Sequence, residues 1–398
     1  MRVPGRAGSA LNRQGLAGAI EGLLRPRAAL AHAMTTQTGP HLRDSVNLPT
    51  LRLWMVIALA PCVLIAFYNT GHQAGLGMSR LGLDTLPGWR GALLEALGLG
   101  GPMSGTAAAI MHGMLYVLPI LGIAVIVGGF WRQAFARLRG RRSGGAPIVT
   151  ALIFTLILPP GAPLWQVALG TSFGLVIGKE IFGGTGKNFM NPALVGLAFL
   201  YLAYPNDPAA NPIWASGAGY GGTGALGQVA GGGMDALLRA GLTWQRSFVG
   251  IEPDAIGVSS AAGCLLGAAV LIATGAASWR IMLAVLIGGV ATALLVNFLG
   301  REAGPIFSVP WYWHLSLGGF AFGAVFLATD PVSAASTNAG RWIYGLLIGA
   351  MIVLVRVANP AHPDGVLMAV LLGNVFAPLI DFGVVWVNIR RRARRIVR

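Results

Sequence analysis

Charge is scarce in this 398-residue chain: Asp, Glu, Lys and Arg make up 10% of it, against the roughly 25% usual in soluble domains. Acid is scarcer than base, 13 residues against 28. Cysteine is nearly absent. Cys62 and Cys264 stand far apart and form no CxxC pair, so neither an iron–sulfur cluster nor a thiolate zinc site is encoded. The six His show no ligand spacing, and no metal site is expected. Residues 1–52 are basic but lack the apolar run of about 7–15 residues and small-residue cleavage site of a signal peptide, so none is expected. Apolar residues and glycine are what abounds: 55% hydrophobic and 59 Gly, with mean hydropathy +0.68. A soluble globular enzyme and a disordered chain are both excluded. Glycine this frequent in an apolar chain suits close helix–helix contact in lipid.

A membrane helix needs about 17–25 mostly apolar residues. Ten candidate spans lie near Leu53–Asn69, Ala109–Trp131, Ile148–Leu158, Leu164–Gly178, Pro192–Tyr204, Val258–Gly275, Ile281–Leu299, His314–Thr329, Trp342–Ala358 and Val366–Val387. The third and fifth are short, which is tolerated only where broken backbone is buried in protein. Ten spans put both termini on one side. That side then carries 22 of the 28 Lys and Arg, while Arg80, Arg90, Arg239, Arg246, Arg301 and Arg356 fall outside. The positive-inside rule makes it the cytoplasm. The net charge of +15 is thereby a topology signal, and no nucleic-acid partner is expected. The expected organisation is a basic cytoplasmic region 1–52, a first membrane repeat 53–204, an outer Gly-rich loop 205–257, a second repeat 258–387 and a basic tail 388–398 that anchors against anionic lipid. The two halves echo each other in Pro, Trp, Gly and Asn-Pro punctuation, Asn191-Pro192 against Asn359-Pro360. Five spans per half would invert the second copy. The expected fold class is an all-α membrane protein of two inverted five-helix repeats with broken spans.

Polar groups within or beside spans are the functional candidates. Gly178–Leu194 places Lys179, Glu180, Lys187, Asn188 and Asn191 between two apolar spans, with three Gly in Gly183–Gly186. Two amides match the mixed donor–acceptor edge of a planar heterocycle; a loop that only caps two helices is the alternative. Asp330 precedes Pro331, where a carboxylate either serves ion passage or forms a local turn. Asp381 sits inside the tenth span after Pro378, where a structural role is less expected. The two thiols are expected to pack as small buried apolar groups.

Ordered motifs from about His41 to Arg394 carry a resemblance. They include Val127-Gly-Gly-Phe-Trp131, Lys179-Glu-Ile-Phe-Gly-Gly-Thr-Gly-Lys-Asn-Phe189, Pro310-Trp-Tyr-Trp-His314, Gly318-Gly-Phe-Ala-Phe-Gly323 and Ala328-Thr-Asp-Pro-Val-Ser333. The chain resembles the family of B subunits of the sodium-pumping NADH:quinone oxidoreductase and, more distantly, the D component of the Rnf complex. The resemblance implies a membrane component of a respiratory complex that passes electrons through flavin to ubiquinone while sodium crosses the membrane. The reductase would be the complex with its other components, not this chain alone. It implies a quinone region at Gly128 and Gly129, a riboflavin region at Lys187, Asn188 and Asn191, and a cation path at Asp330 and Asp381. It also implies an FMN joined through its phosphate to a threonine.

That last feature is where the chain departs. The family pattern is close to Asp-Gly-Tyr-Ser-Gly-Ala-Thr-Ala-Leu, whereas here Ala218-Gly-Tyr-Gly-Gly-Thr-Gly-Ala-Leu226 puts Gly224 at the acceptor position. Glycine has no hydroxyl to esterify. Thr223 is one position early and is not the expected substitute. A second flavin-associated segment has become Pro253-Asp-Ala-Ile-Gly-Val-Ser-Ser260, with Asp254 for a Gly and Val258 for a Glu. Arg132 stands where the family has an acid, and a fixed cation repels Na+. The expectation is a homologue with riboflavin but without covalent FMN. A transporter or scaffold that keeps the fold without redox work is the alternative. The stretch Ala215–Gly233, nine Gly in nineteen residues, is expected to be a relaxed loop.

Overall fold

The computed structural model describes residues 48–81, 89–96, 98, 105–140, 147–204, 213–216, 220–300, 304–359 and 365–396. The basic region up to residue 47, the motif start at His41, and Arg141, Arg142, Ala218, Arg301 and Arg398 lie outside them. In chain order the helices are α1 (Leu48–Leu81), α2 (Trp89–Ala96), α3 (Thr106–Leu138), α4 (Ile148–Ile157), α5 (Leu164–Leu175) and α6 (Pro192–Ala203). Then come α7 (Ala225–Arg239), α8 (Trp244–Val249), α9 (Ala261–Ala273), α10 (Trp279–Leu299), α11 (Trp311–Ser316), α12 (Phe320–Phe322), α13 (Asn338–Ala358) and α14 (Val366–Ile396). The architecture is helical, as expected, with one small addition: a two-stranded antiparallel hairpin, β1 (Ile213–Ser216) paired with β2 (Tyr220–Thr223).

Helices α1, α3, α10, α13 and α14 are each long and apolar enough to cross a membrane. The third, fifth and sixth spans are the short helices α4, α6 and α9. Ten residues of α4 rise about 15 Å, half of a bilayer's roughly 30 Å core. Its last carbonyls are not left bare. Ile256 N–H donates to Leu158 at 3.0 Å and Gly257 N–H to Leu156 at 2.8 Å, so the loop before α9 caps the broken helix, as buried ends require. The eighth span breaks at Leu317–Gly319. Gly318 and Gly319 take φ of 57° and 66°, a left-handed conformation that favours glycine. The helix resumes as α12 and a π turn over Gly323–Leu327. A matching π turn, Val176–Glu180, ends α5.

Glycine draws the helices together. A Cβ on Gly288 would lie 2.5 Å from the Leu346 carbonyl and one on Gly349 2.0 Å from the Val285 carbonyl, so α10 and α13 meet backbone to backbone. Gly174 and Gly196 do the same for α5 and α6. The two thiols are buried as expected, and they meet: Cys62 Sγ on α1 lies 3.8 Å from Cys264 Sγ on α9.

One expectation needs correction. The stretch around Gly224 is not a relaxed loop in its described part: Tyr220–Thr223 is strand and Ala225–Arg239 is helix, kinked at Gly233 with φ 67°. The basic tail is helical in its described part. It continues α14 to Ile396, and Arg390 stacks 3.4 Å above the Trp386 ring. Straight-chain Arg residues are good helix formers, and nothing in the sequence there stops a helix.

Candidate functional site

The π turn that ends α5 delivers Lys179 and Glu180, 9% and 7% exposed, into the protein. A π turn adds one residue to the helical register, a distortion frequent at functional sites. Arg139, just past α3, binds Glu180: its Nη1 lies 2.7 Å from Oε2, and its Nη2 donates to the Glu180 carbonyl. Arg132 on α3 and Arg52 on α1 lie within electrostatic reach of Lys179, and so does Asp330. Lys179 thus faces an acid from far along the chain, Asp330, with Arg132 and Arg52 on its other sides. Asp330 also makes the local turn set out as its alternative. Its Oδ2 accepts from Ser333 Oγ at 2.9 Å and its Oδ1 from Val332 N–H at 3.4 Å.

The loop beyond the π turn is built on Gly183, Gly184 and Gly186, with φ of 111°, 93° and 89°. Its amides have local duties. Asn188 Nδ2 donates to the Met190 carbonyl at 3.0 Å. Asn191 is the N-cap of α6, its Oδ1 accepting from Ala193 N–H at 3.0 Å, with Pro192 at the first helical position as helix starts favour. Both side chains are buried, and each spends one end of its amide locally. Lys187 is exposed and its stem lies over Gly183. Gly128 and Gly129 differ. A Cβ on Gly128 would sit 2.8 Å from Pro147 Cγ and 3.0 Å from Leu175 Cδ1, whereas one on Gly129 would meet nothing within 4 Å.

Asp381 does not join this cluster. Its Oδ2 accepts from Ser336 N–H at 2.7 Å and Ser336 Oγ at 2.8 Å; its Oδ1 accepts from Thr337 N–H at 3.0 Å and Thr337 Oγ1 at 2.5 Å. Thr337 is the N-cap of α13. The expectation of little structural role for Asp381 is therefore corrected: its carboxylate ties α14 to the positive end of α13.

A second region lies around Gly224, which caps the N-terminus of α7. The Ala225 N–H there is taken by the Pro253 carbonyl at 3.0 Å. The two segments that depart from the family pattern are therefore neighbours in space. Asp254 is buried beside them and its Oδ1 accepts from Ala255 N–H at 2.8 Å.

Three groups escape sequence reasoning: Arg139 as the partner of Glu180, and the buried residues Glu252 and Arg356. Arg356 reads in sequence as one of the outer charges, yet it is wholly buried. Its guanidinium donates to the carbonyls of His314 at 2.6 Å, Leu317 at 2.7 Å and Gly318 at 3.0 Å. It thus caps the break in the eighth span. Its place two residues inside the apolar run ending at Ala358 is the available signal, since a charge inside a span has a partner.

Comparison with known proteins decides the frame for this geometry. A model of the NQR2, RnfD, RnfE family matches residues 35–390. The chain belongs to the NQR2, RnfD, RnfE family. It is similar to the B subunit of the Na(+)-translocating NADH-quinone reductase of Azotobacter vinelandii, 47% identical over 368 residues that cover 92% of this chain and 91% of that protein. The protein of the same description from Pseudomonas aeruginosa is 46% identical over 362 residues, 90% of each chain. That of Chromohalobacter salexigens is 47% identical over 360 residues, 90% of this chain and 87% of that one. A hydroxyl at position 224 would stand at a helix N-terminus, where a phosphate is favoured. This chain offers no hydroxyl, turns the first N–H toward Pro253, and adds a carboxylate at Asp254. Gly224 itself cannot carry a phosphoester.

Proposed function

We propose that this chain is the membrane-embedded B subunit of a Na+-translocating NADH:quinone reductase, one that passes electrons toward ubiquinone without a covalently attached FMN. What carries the reading is the 46–47% identity to named B subunits over about 90% of the chain. The NADH site belongs to partner proteins of the complex. The chain sits in the bacterial inner membrane with both termini cytoplasmic, as the 22 to six division of Lys and Arg favours. Its organisation is 1–52, 53–204, 205–257, 258–387 and 388–398, the third part carrying the hairpin, α7 and α8.

Asn188 and Asn191 would hold a riboflavin through the opposite ends of their amides, with Lys187 at the loop's rim. Bound there, an isoalloxazine supplies one- and two-electron transfer. Gly129 leaves open space on α3 for a quinone ring, while Gly128 lets α3 approach α5. Lys179, Arg132 and Asp330 set the charge a cation meets at its entry. Arg132 makes that entry more positive, which weakens its attraction for Na+. The absent hydroxyl at position 224 favours a second reading, a family homologue that transports or scaffolds without redox work. The visible spectrum of the native purified complex separates the two. A flavin spectrum that stays with the complex supports the electron-carrying reading. No flavin of any kind contradicts it.

A further inference from the structure

Glu252, in the loop between α8 and α9, is wholly buried, and neither of its carboxyl oxygens has a hydrogen-bond partner. Its backbone is held firmly. Asn69 on α1 donates its amide to the Glu252 carbonyl at 2.8 Å and reaches Ser259 Oγ at 3.5 Å. The Pro253 carbonyl is fixed by Ala225 N–H. Ser247 of α8, also wholly buried, turns its hydroxyl toward the carboxyl.

Among the described residues, two charged groups face Glu252. Asp254 comes from the same loop, and Arg356 comes from α13. His314 of α11 lies beyond Arg356. Helix α1 presents the uncharged Asn69 amide. One guanidinium therefore faces two carboxyls. An ionised carboxylate buried without a hydrogen bond costs several kcal/mol, and two neighbouring carboxylates do not readily both ionise. One shared proton leaves one negative charge to balance the one positive.

We propose that Glu252 and Asp254 form a proton-exchange site, in which the pair holds one proton within reach of the Arg356 charge. The proton is the ligand. The site is distinct from the Lys179–Asp330 convergence, and it does not rest on the electron-carrying role proposed above. Glu252 is wholly buried with neither oxygen partnered, whereas Asp254 accepts from Ala255 N–H, so Glu252 is the protonated member; burial, and then the Asp254 carboxylate, push its carboxyl well above the usual carboxylate range. A carboxyl raised in this way stabilises the fold below its unfolded value, and that contribution is lost as pH rises through the folded value. Alkaline conditions therefore destabilise the protein through this group, and Glu252→Gln removes that part of the loss.

The test is pH-difference infrared spectroscopy on the full chain within its complex in lipid nanodiscs. A protonated carboxylic C=O band is expected at neutral pH, disappearing on alkaline titration. Glu252→Gln should lack it and Glu252→Asp should keep it. Asp254→Asn removes the like charge and should lower the midpoint of the band by about one pH unit or more. That arm is read independently if Glu252→Gln fails to assemble. A band that persists in Glu252→Gln overturns the proposal, as does a midpoint unmoved in Asp254→Asn. Loss of the band on adding Na+ at constant pH also overturns it, because the ligand would then be a metal cation.

Discussion

Replacing Asp381 separates an anchor from an ion site. Each carboxylate oxygen accepts two bonds, one from a backbone N–H and one from a hydroxyl of Ser336 or Thr337. Asn has one accepting oxygen, so Asp381→Asn keeps two bonds and turns an NH2 group toward a backbone donor. Bonds to a charged group contribute about 1.5–3 kcal/mol where buried. Asp381 is only partly buried, and solvent screening reduces that. The expected loss is about 1–2 kcal/mol for Asn and about 2–3 kcal/mol for Ala, which removes all four bonds and part of the cap on α13. Equilibrium unfolding in mixed micelles measures this. A double-mutant cycle with Thr337→Val should show coupling of about 1 kcal/mol. In the reconstituted complex the KM for Na+ should change less than about twofold, because fewer than about 0.4 kcal/mol of Na+ binding is at stake. Parental stability with a Na+ KM raised tenfold would refute the anchor and restore Asp381 to the cation path.

The remaining predictions concern the glycine and asparagine pairs. Gly128→Ala places a methyl group 2.8 Å from Pro147 Cγ, so thermal unfolding should show a loss of about 1–3 kcal/mol. Gly129→Ala meets open space and should leave stability unchanged or raised while weakening quinone affinity in steady-state kinetics; a stability loss there would contradict the packing described. Asn191→Ser preserves the cap of α6 and should unfold like the parent with reduced native flavin content. Asn191→Ala should lose about 1 kcal/mol as well.

Much of the fold is legible in the sequence because its causes are local. Apolar run length marks the membrane-length helices, and the Gly excess foretells helices in backbone contact such as α10 and α13. The short third and fifth spans are visible as runs too brief to cross lipid. The break in the eighth is not, because Gly318 and Gly319 sit in an otherwise unbroken apolar stretch. Asn191-Pro192 is readable as a helix start, yet its amide pattern points equally to a ligand. The roles of Asp381, Glu252 and Arg356 are hidden for one physical reason. Their partners lie on other elements: Ser336 is 45 residues from Asp381, and His314 is 42 from Arg356. Periodicity reports which face of a helix is apolar, and it carries no information on which distant carbonyl or N–H a charge will meet.

The central claim is a family member whose flavin attachment point is gone, and fluorescence on a denaturing gel tests it most directly. The chain is co-expressed with an active flavin transferase, purified, denatured and run beside its Gly224→Thr variant. No fluorescent band at the chain's mass is the predicted result for the parent. A flavin band that survives denaturation in the parent would contradict the account.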